Sequence, residues 1–267
     1  MPELPDVESF RRLAETCVGR VIRRVVASDP RMLEGVSPDT VRKRLTGARV
    51  ERVRRHGKHL FIEFSQAGCL AMHFGTNGSL HHVPADDADP PYVRFSLVFA
   101  DGDRLAYVNP RRIGTVQWAK DAAAFVAAAE LGPDALDRHF DLPVLARAIA
   151  GRTRDIKSIL MDQRLVAGIG NIYADEILFQ AGIYPGAKAD TLERAQIAQI
   201  FTKLKHVLKT AVDRGAGAET GVERLPGGFL LPERHPDGHC PRCGGALATL
   251  RQSGRTSYYC PRCQRRR

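Results

Sequence analysis

The residues of this chain that could do chemistry stand first of all at its start, where Met1 is followed by Pro2 and Glu3. If Met1 is removed, which the small residue at position 2 permits, the chain begins with the secondary amine of Pro2 beside a carboxylate. Terminal amines titrate near about 8, against about 10.4 for lysine, so more of the amine is neutral at physiological pH. A neutral amine can attack a carbonyl carbon and form a Schiff base. Pro2 is therefore a candidate nucleophile and Glu3 a candidate acid/base.

A helix is predicted directly after this pair. Apolar residues recur there at helical spacing: Val7, Phe10, Leu13, Ala14 and Cys17. Pro5 suits the first turn of a helix, where its missing N–H costs no hydrogen bond. The positive end of the helix dipole would then lie near Pro2 and disfavour its protonated form. A proline and an acid are also ordinary at a helix start, so local sequence alone does not decide for chemistry.

Four of the six cysteines form a second chemical group near the end of the chain. They are two C-x2-C pairs with sixteen residues between them: Cys240, Cys243, Cys260 and Cys263. This spacing is typical of zinc ligands, and four thiolates fill a tetrahedral site, so the zinc would be structural. A redox pair is the alternative, but nothing around the cysteines resembles a thioredoxin unit. Cys17 and Cys69 stand singly in apolar contexts, as small core residues do.

The segment between the two cysteine pairs predicts a β-hairpin. Residues 249–252 and 255–259 have strand character, with a turn at Ser253-Gly254. Arg255 would lie near the tip of the hairpin, where a guanidinium can reach a phosphate. Residues 234–267 contain eight arginines and one acid, Asp237. Such a basic module indicates a polyanionic partner.

The composition is that of a globular protein without a membrane segment. The chain has 267 residues, 43% of them hydrophobic, which suits one large or two medium domains. The net charge is +10 and the pI about 9.6. No apolar run is long enough to cross a bilayer, and the first 20 residues are charged, unlike a signal peptide. We expect a soluble intracellular protein.

The order of elements predicts a β-rich first part and a helical second part. Short strands are predicted at 21–26, 50–53, 60–64, 69–72, 94–100, 104–108 and 113–118. Asp101-Gly102 is the strongest hairpin signal among them. These strands imply a sandwich or barrel-like domain over about 1–130. From Leu142 onward the periodicity is helical, and the stretch around Gly132 and Pro133 is the predicted linker.

Two irregular segments of the second part are candidate binding elements. The first is the turn Gly168-Ile169-Gly170-Asn171, whose amides could cradle a phosphate with help from the Asn171 side chain. A plain turn between helices is an equally good interpretation. The second segment, residues 215–239, is rich in Gly and Pro; loops of this length are lids, binding loops or disordered linkers.

Six separated motifs together resemble the formamidopyrimidine-DNA glycosylase and endonuclease VIII family, more closely formamidopyrimidine-DNA glycosylase. They occur in the family's order along the whole chain: Pro2-Glu3-Leu4-Pro5, Arg55-His56-Gly57-Lys58, His73-Phe74-Gly75, Asn109-Pro110-Arg111-Arg112-Ile113-Gly114, the turn from Gly168 to Ala174, and the zinc hairpin. Agreement of six motifs is far more specific than any one of them.

The resemblance implies an α+β multidomain fold. It has an N-terminal two-layer β-sandwich with flanking helices, a C-terminal helix-two-turn-helix bundle and a zinc-binding β-hairpin. We predict a catalytic sandwich domain over 1–130, a linker over 131–142, a helix-two-turn-helix domain with the lesion loop over 143–234, and the zinc hairpin over 235–267. One structural zinc ion and no organic cofactor are expected.

The resemblance also implies a bifunctional enzyme of base-excision repair. In the family the damaged nucleotide is flipped out of the duplex, because C1′ is inaccessible in stacked DNA. Pro2 would attack C1′, the base would leave, and β- and δ-eliminations would cut the strand on both sides of the lesion. Glu3 would transfer the protons that assist opening of the sugar ring. Phosphate contacts are implied for five residues: Lys58, His73, Lys157, Asn171 and Arg255.

The chain departs from the family where side chains fill the gap left by the flipped base. The corresponding positions are Thr76, Arg111 and Ile113, where formamidopyrimidine-DNA glycosylases usually have methionine first and phenylalanine third. Arg111 keeps the group that would face the orphaned base. The lesion loop at 226–232 looks shorter, and Asp6 replaces the common glutamate. We therefore expect an active abasic-site lyase. The damaged bases that it excises should differ from those of the namesake enzyme or form a narrower range.

Three alternatives stay open at this point. The first is a glycosylase for oxidised pyrimidines or alkylated bases on the same scaffold. The second is a non-catalytic zinc-containing protein that binds damaged DNA, against which the presence of both Pro2 and Glu3 argues. The third is an RNA-binding zinc-hairpin protein. The expected partner is damaged double-stranded DNA, the expected state a monomer, and the expected location the bacterial cytoplasm, at the nucleoid.

Overall fold

The computed structural model describes residues 1–66, 68–218, 221–252 and 254–266. The chain folds into two compact units. Unit 1 comprises residues 1–2 and 6–130, and unit 2 comprises residues 3–5 and 131–267. No helix within the described ranges combines the length and the apolar character needed to cross a membrane.

Unit 1 contains nine of the strands and three helices of the described chain. The strands are β1 (Ile22–Ala27), β2 (Leu33–Glu34), β3 (Val50–His56), β4 (His59–Phe64), β5 (Cys69–His73), β6 (Ser79–Val83), β7 (Val93–Phe99), β8 (Arg104–Val108) and β9 (Thr115–Ala119). The helices are α1 (Leu4–Glu15), whose first two residues count with unit 2, α2 (Pro38–Leu45) and α3 (Ala122–Ala128).

The strands of unit 1 form two sheets around one core. One sheet has the order β1-β7-β8-β6 and the other the order β2-β9-β5-β4-β3. Leu60 and Ile62 of the second sheet belong to the same buried cluster as Phe95 and Leu97 of the first. Leu60 and Ile62 alternate along β4, and Phe95 and Leu97 alternate along β7, so the inward faces of the two sheets meet in one core, as packing of two sheets requires. The predicted β-sandwich is confirmed.

The strand predictions were good where apolar residues dominate. The Asp101-Gly102 turn joins β7 to β8 as predicted, and Gly102 adopts the φ of 94° that favours glycine. The short strand β2 and the strand β6, which carries His81 and His82, were missed. β6 pairs with β8, so its position depends on a partner strand rather than on its own composition.

Unit 2 is a helical bundle with a two-stranded hairpin. Its helices are α4 (Leu142–Ile149), α5 (Ile156–Leu160), α6 (Asn171–Gln180) and α7 (Arg194–Arg214), and its strands are β10 (Ala248–Gln252) and β11 (Arg255–Tyr259). The apolar face predicted for α7 is buried, including Ile200, Leu204 and Leu208. A capping box of Glu193 and Gln196 starts this long helix.

The predicted linker, residues 131–142, is packed within unit 2. Its first eleven residues precede α4, and they pack into unit 2, where Ala135 and Phe140 are buried in the main core. The N–H of Ala167 donates to the carbonyl of Pro133 at 2.9 Å. The apolar residues that follow Gly132 and Pro133 therefore form part of the core of unit 2.

The Gly- and Pro-rich segment 215–239 contains two short 3-10 helices, Val222–Arg224 and Leu231–Glu233. Glu219 and Thr220 lie outside the described residues. The hairpin at the end of the chain has the predicted register, with Gln252 paired to Arg255. Ser253 of its predicted turn lies outside the described residues as well.

Candidate functional site

The carboxylate of Glu3 caps the N-terminus of α6. Oε2 accepts the N–H of Gly170 at 2.7 Å and that of Tyr173 at 3.1 Å, and Oε1 accepts the N–H of Ile172 at 2.9 Å. The first N–H groups of a helix have no partner within the helix, and the helix dipole favours a negative charge there. Glu3 is completely buried. The carboxylate is therefore held in one orientation, directly after Pro2 in the chain.

The Gly-x-Gly turn makes this arrangement possible. Gly168 has a φ of 116°, and a Cβ there would lie 2.6 Å from Cδ1 of Leu4. The N–H of Leu4 donates to the carbonyl of Gly168 at 3.0 Å. The absence of a side chain at Gly168 thus lets Leu4 pack directly against the backbone of this turn. Both interpretations of this turn missed its role, because its amides bind a carboxylate of the same chain instead of a phosphate.

Lys58 and His73, two of the predicted phosphate-contact residues, lie near each other in unit 1. Pro2 and Lys58 are buried, Lys58 with 7% of its surface exposed. Burial and then the charge of Lys58 lower the pKa of His73. The N–H of Gly75 donates to Nδ1 of His73 at 3.3 Å. Neutral His73 therefore carries its proton on Nε2, which can donate it to an anion.

A buried polar cluster in unit 1 holds the loop of Arg111 and Ile113. Asn109 is completely buried, and its Nδ2 donates to the hydroxyl of Tyr107 at 2.9 Å. That hydroxyl donates to the carbonyl of His73 at 2.9 Å. The N–H of Ile113 donates to Oδ1 of Asn109 at 3.4 Å. The Asn-Pro motif of the sequence is therefore the anchor of the loop.

The three predicted gap-filling residues lie on two adjacent loops of unit 1. A Cβ on Gly75 would lie 2.7 Å from the carbonyl carbon of Ile113, so the backbone beside Thr76 packs against this loop. Arg111 is exposed, and Ile113 is 55% exposed, which is unusual for a large apolar side chain. The side chain of Ile113 is therefore accessible on the surface of unit 1.

Three predicted phosphate-contact residues of unit 2 line one pocket of about 230 Å³. Asn171 stands at the start of α6 and Arg255 at the start of β11, and Lys157 is in α5. Arg255 is exposed. Nδ2 of Asn171 donates one hydrogen to the carbonyl of Thr256 at 3.2 Å. Because the amide carries two hydrogens, Asn171 retains a donor for a phosphate oxygen.

Lys157 differs from a phosphate clamp that is open to solvent. Only 3% of its surface is exposed, and burial lowers its pKa. Nζ donates to Oδ1 of Asn171 at 2.7 Å and to the hydroxyl of Ser257 at 2.6 Å, and it forms an ion pair with Oδ1 of Asp175 at 2.7 Å. Two of the three protons of the ammonium are thus engaged in hydrogen bonds, and its charge is balanced by the carboxylate of Asp175. The structure favours an indirect role for Lys157, through Asn171.

The loop at 226–232 is attached to α6 by Glu176. Oε2 of Glu176 accepts the N–H of Leu231 at 2.8 Å, and Oε1 accepts Nε2 of Gln180 at 2.8 Å. The same Nε2 donates to the carbonyl of Gly228 at 2.9 Å. Complete burial raises the pKa of Glu176 to about 7. This residue was missed, and its Asp175-Glu176 context gives no local signal.

The four cysteines fit a single zinc ion. Their Sγ atoms all lie within 4.8 Å of one another. The Sγ atoms of Cys240 and Cys263 are 3.8 Å apart and those of Cys243 and Cys260 are 3.5 Å apart. Zn–S bonds of about 2.3 Å in a tetrahedron place sulfurs about 3.8 Å apart. A zinc ion held by these thiolates would be fully ligated, so it would stabilise the knuckles and take no part in chemistry.

Comparison with known proteins identifies the family. Residues 1–116 match the formamidopyrimidine-DNA glycosylase N-terminal domain, residues 131–222 match the H2TH domain of the same glycosylase, and residues 239–266 match the zinc finger found in FPG and IleRS. The chain belongs to the formamidopyrimidine-DNA glycosylase family. It is 37% identical to the formamidopyrimidine-DNA glycosylases of Stutzerimonas stutzeri and Geobacter metallireducens, over 99% of this chain and 100% of each relative.

Solved structures of this glycosylase have the same fold. The Lactococcus lactis enzyme bound non-covalently to DNA containing an AP site matches with a TM-score of 0.87 at 28% identity. Its complex with DNA containing Fapy-dG matches with a TM-score of 0.89, again at 28% identity. Each match covers 99% of this chain and 100% of the other. As a member of the formamidopyrimidine-DNA glycosylase family, the chain is a bifunctional DNA glycosylase and abasic-site lyase of base-excision repair.

Proposed function

We propose that this glycosylase removes a damaged base from double-stranded DNA and then cuts the abasic strand through the amine of Pro2. The observation that carries the proposal is the fixed carboxylate of Glu3, held by three backbone N–H groups directly after Pro2. A nucleophile and a proton-transfer group that are adjacent in sequence, with one of them immobilised, suit attack on a sugar carbon. Removal of Met1 is a condition, because it converts the amide of Pro2 into an amine.

The proposed reaction proceeds in balanced steps. The nitrogen of Pro2 forms a bond to C1′ as the bond from C1′ to the base breaks, and the departing base takes a proton from water. Glu3 accepts the proton that the nitrogen of Pro2 then releases. Glu3 transfers a proton to the ring oxygen, so the sugar opens and an iminium ion forms at C1′. Water then takes the C2′ proton as the 3′ phosphate leaves and the C4′ proton as the 5′ phosphate leaves, so β- and δ-elimination cut the strand on both sides. Water releases the sugar fragment and regenerates the amine.

We assign the DNA contacts to residues of both units. Lys58 and His73 would bind phosphate from unit 1, and Asn171 and Arg255 would bind it from unit 2 with Lys157 in support. The exposed side chain of Arg111 would face the base left without a partner. A net charge of +10 supports binding to duplex DNA. The relatives of known structure bind DNA with an abasic site or Fapy-dG.

The residues at positions 76 and 113 support a difference in substrate range. Thr76 is shorter and more polar than the methionine usual in the family, and Ile113 cannot stack on a base as phenylalanine can. Insertion into the duplex would be weaker or differently shaped. We propose that the lyase reaction is intact. The range of damaged bases that the enzyme excises differs from that of the namesake enzyme or is narrower. Oxidised pyrimidines and alkylated bases are the candidate substrates to be compared with Fapy-dG and 8-oxoguanine.

We also propose the setting of the reaction. The enzyme would act as a monomer in the bacterial cytoplasm, on DNA of the nucleoid. The catalytic domain would comprise residues 1–130, and the helix-two-turn-helix domain and the zinc hairpin would comprise residues 143–234 and 235–267. The zinc hairpin would deliver Arg255 to the DNA.

The test is base release and strand cleavage on matched duplexes that each contain one lesion or one abasic site. We expect cleavage of the abasic duplex to products with a phosphate on both new ends, which is the signature of consecutive β- and δ-elimination. A duplex without damage is the control for nuclease contamination. Binding of the abasic duplex without any cleavage, by a chain shown to begin at Pro2, would contradict the proposal and favour a non-catalytic protein.

A further inference from the structure

One carboxylate of α6 connects three segments of unit 2 at the proposed phosphate-binding pocket. Asp175 is 1% exposed. Its Oδ1 forms an ion pair with Nζ of Lys157 at 2.7 Å, and its Oδ2 forms one with Nε of Arg234 at 2.9 Å. Oδ2 also accepts the N–H of Tyr258 in β11 at 3.0 Å. A single buried side chain thus contacts α5, the segment before the zinc hairpin, and the hairpin itself.

Each cation that Asp175 holds makes a second contact with the hairpin. Nζ of Lys157 donates to the hydroxyl of Ser257 at 2.6 Å. Nη2 of Arg234 donates to the carbonyl of Thr256 at 3.0 Å. Residues 256–258 of β11 are therefore fixed at consecutive positions, directly after Arg255. The guanidinium of Arg234 also lies over the ring of Tyr258, with 5.0 Å to its centroid.

The network continues to Asn171 at the start of the same helix. Oδ1 of Asn171 accepts from Nζ of Lys157 at 2.7 Å, and Nδ2 donates to the carbonyl of Thr256 at 3.2 Å. Oδ1 and Nδ2 of this amide are similar in size, but Oδ1 accepts hydrogen bonds and Nδ2 donates them. The ammonium of Lys157 requires the oxygen on its own side, so it fixes the orientation in which Nδ2 points toward the hairpin and the pocket.

We propose that Asp175 is a positioning residue for DNA binding: through Lys157 and Arg234 it sets the orientation of Asn171 and the place of Arg255 at the phosphate pocket. The inference rests on the proposed function, which assigns phosphate binding to Asn171 and Arg255. It adds Asp175, which lies outside the six family motifs, to the residues that act in DNA binding. Lys157 acts as the link, which explains why a lysine beside a DNA-binding pocket is buried.

Removal of the negative charge should release this arrangement. In Asp175→Asn the two cations Lys157 and Arg234 remain side by side without the carboxylate between them. A buried pair that loses one partner leaves an uncompensated charge, which the structure relieves by moving. The movable part is the hairpin edge, because both cations are bonded to it. Glu3 is held by backbone amides of Gly170, Ile172 and Tyr173, so the reaction itself should be preserved once DNA is bound.

The experiment compares Asp175→Asn with wild type and with Asp134→Asn. Asp134 is a matched control, because it is a buried aspartate of unit 2, 6% exposed, that accepts the N–H of Leu136 far along the chain from the hairpin. Affinity for a duplex with a reduced abasic site is measured over a range of salt concentrations. For Asp175→Asn we expect about tenfold weaker binding and a slope of log K against log salt that is smaller by about 1, as for one lost phosphate contact.

Two further readouts separate positioning from general destabilisation. The single-turnover cleavage rate at saturating enzyme should stay within about twofold of wild type, since only binding is affected. Combining Asp175→Asn with Arg255→Ala should add little to the loss caused by Arg255→Ala alone, because the two act on one contact. A purely structural role would lower the active fraction and leave the salt slope unchanged, and that result would overturn the inference.

A milder variant serves if Asp175→Asn does not fold. Ser257→Ala removes only the hydroxyl that joins Lys157 to the hairpin, and we expect a weaker effect in the same direction, with a smaller salt slope. An unchanged slope in this variant would overturn the inference. If wild-type enzyme itself fails to cleave abasic DNA, the proposed function is contradicted; if it cleaves and both variants bind normally, only the role of Asp175 is contradicted.

Discussion

The N–H of Gly170 donates to the carboxylate of Glu3 at 2.7 Å, although the two residues are 167 positions apart. The helix that begins at Asn171 therefore receives its negative cap from the start of the chain. A carboxylate in this position satisfies N–H groups that would otherwise lack partners. The same contact fixes the orientation of the carboxylate that we propose as the proton-transfer group. The cap of α6 and the proposed chemistry of the N-terminus thus depend on one side chain.

Glu3→Gln should separate excision from binding. The amide retains only one acceptor oxygen, and its NH2 group would face N–H donors of α6, so proton transfer is lost and the cap is weakened. General acid–base catalysis contributes at least about 100-fold, so we expect base release to fall by at least that factor. Affinity for a reduced abasic site should change little.

The measurement for Glu3→Gln is single-turnover base release, with Glu15→Gln as the control. Glu15 is an exposed residue of α1 that pairs with Arg11. Base release by Glu3→Gln at the wild-type rate would remove Glu3 from the mechanism.

Removal of zinc should expose a defined number of thiols. The four clustered cysteines are ligands, whereas Cys17 and Cys69 are buried in unit 1. Burial raises the pKa of the Cys69 thiol to about 12 and also raises that of Cys17, so neither should react with a thiol reagent in the folded protein. We expect a chelator to release one zinc ion, to make four thiols reactive and to abolish tight DNA binding.

Thiol titration and metal analysis on the same sample test this prediction, and added zinc should restore DNA binding. Tight binding of DNA by the metal-free protein would contradict the role assigned to the zinc hairpin.

The stability of the protein should depend on the ionisation of Glu176. Its pKa is raised from 4.5 to about 7 by burial. Between these values the folded chain keeps a proton that the unfolded chain has lost, so stability falls as pH rises from about 4.5 to about 7. The shift corresponds to about 3 kcal/mol in total.

Glu176→Gln cannot ionise, so its stability should lack this decrease. Chemical denaturation of both proteins across this pH range gives the difference curve. Parallel curves for the two proteins would contradict the assignment of the titration to Glu176.

Ile113→Phe should strengthen DNA binding if the exposed loop enters the gap left by the flipped base. Stacking of an aromatic side chain on a base contributes about 1–3 kcal/mol, so we expect affinity for an abasic duplex to rise by about fivefold or more. Ile113→Leu is the control of equal size without an aromatic ring. Equal affinities for the phenylalanine and leucine variants would show that position 113 does not contact bases.

Features that depend on residues close together in the sequence could be predicted, and features that depend on residues far apart could not. The zinc hairpin, with Cys240 and Cys243 close together and Cys260 and Cys263 close together, is a local pattern, and it was confirmed. The Asp101-Gly102 hairpin was predictable for the same reason. The cap between Glu3 and Gly170 was not, because no short-range signal connects a terminal acid to a helix in the second half of the chain.

The buried network of unit 2 was the least predictable part of the site. Nothing in the sequence around Lys157 indicates that this lysine is buried. Its contacts with Asp175 and Ser257, which are distant in the sequence, explain its burial. Thr76 and Ile113 could be identified as unusual from the family motifs, and the exposure of Ile113 is consistent with contact to DNA. Their effect on substrate choice depends on the DNA, which the chain does not encode by itself.

The most direct test of the mechanism is reduction with borohydride during reaction of the enzyme with abasic duplex DNA, followed by mass analysis of the adduct. The account predicts a stable covalent adduct on the nitrogen of Pro2, in a chain from which Met1 has been removed. A variant with an extra residue before Pro2 has an amide nitrogen at that position and should give no adduct there. An adduct on a lysine such as Lys58, or none on a chain proven to begin with Pro2, would contradict the account.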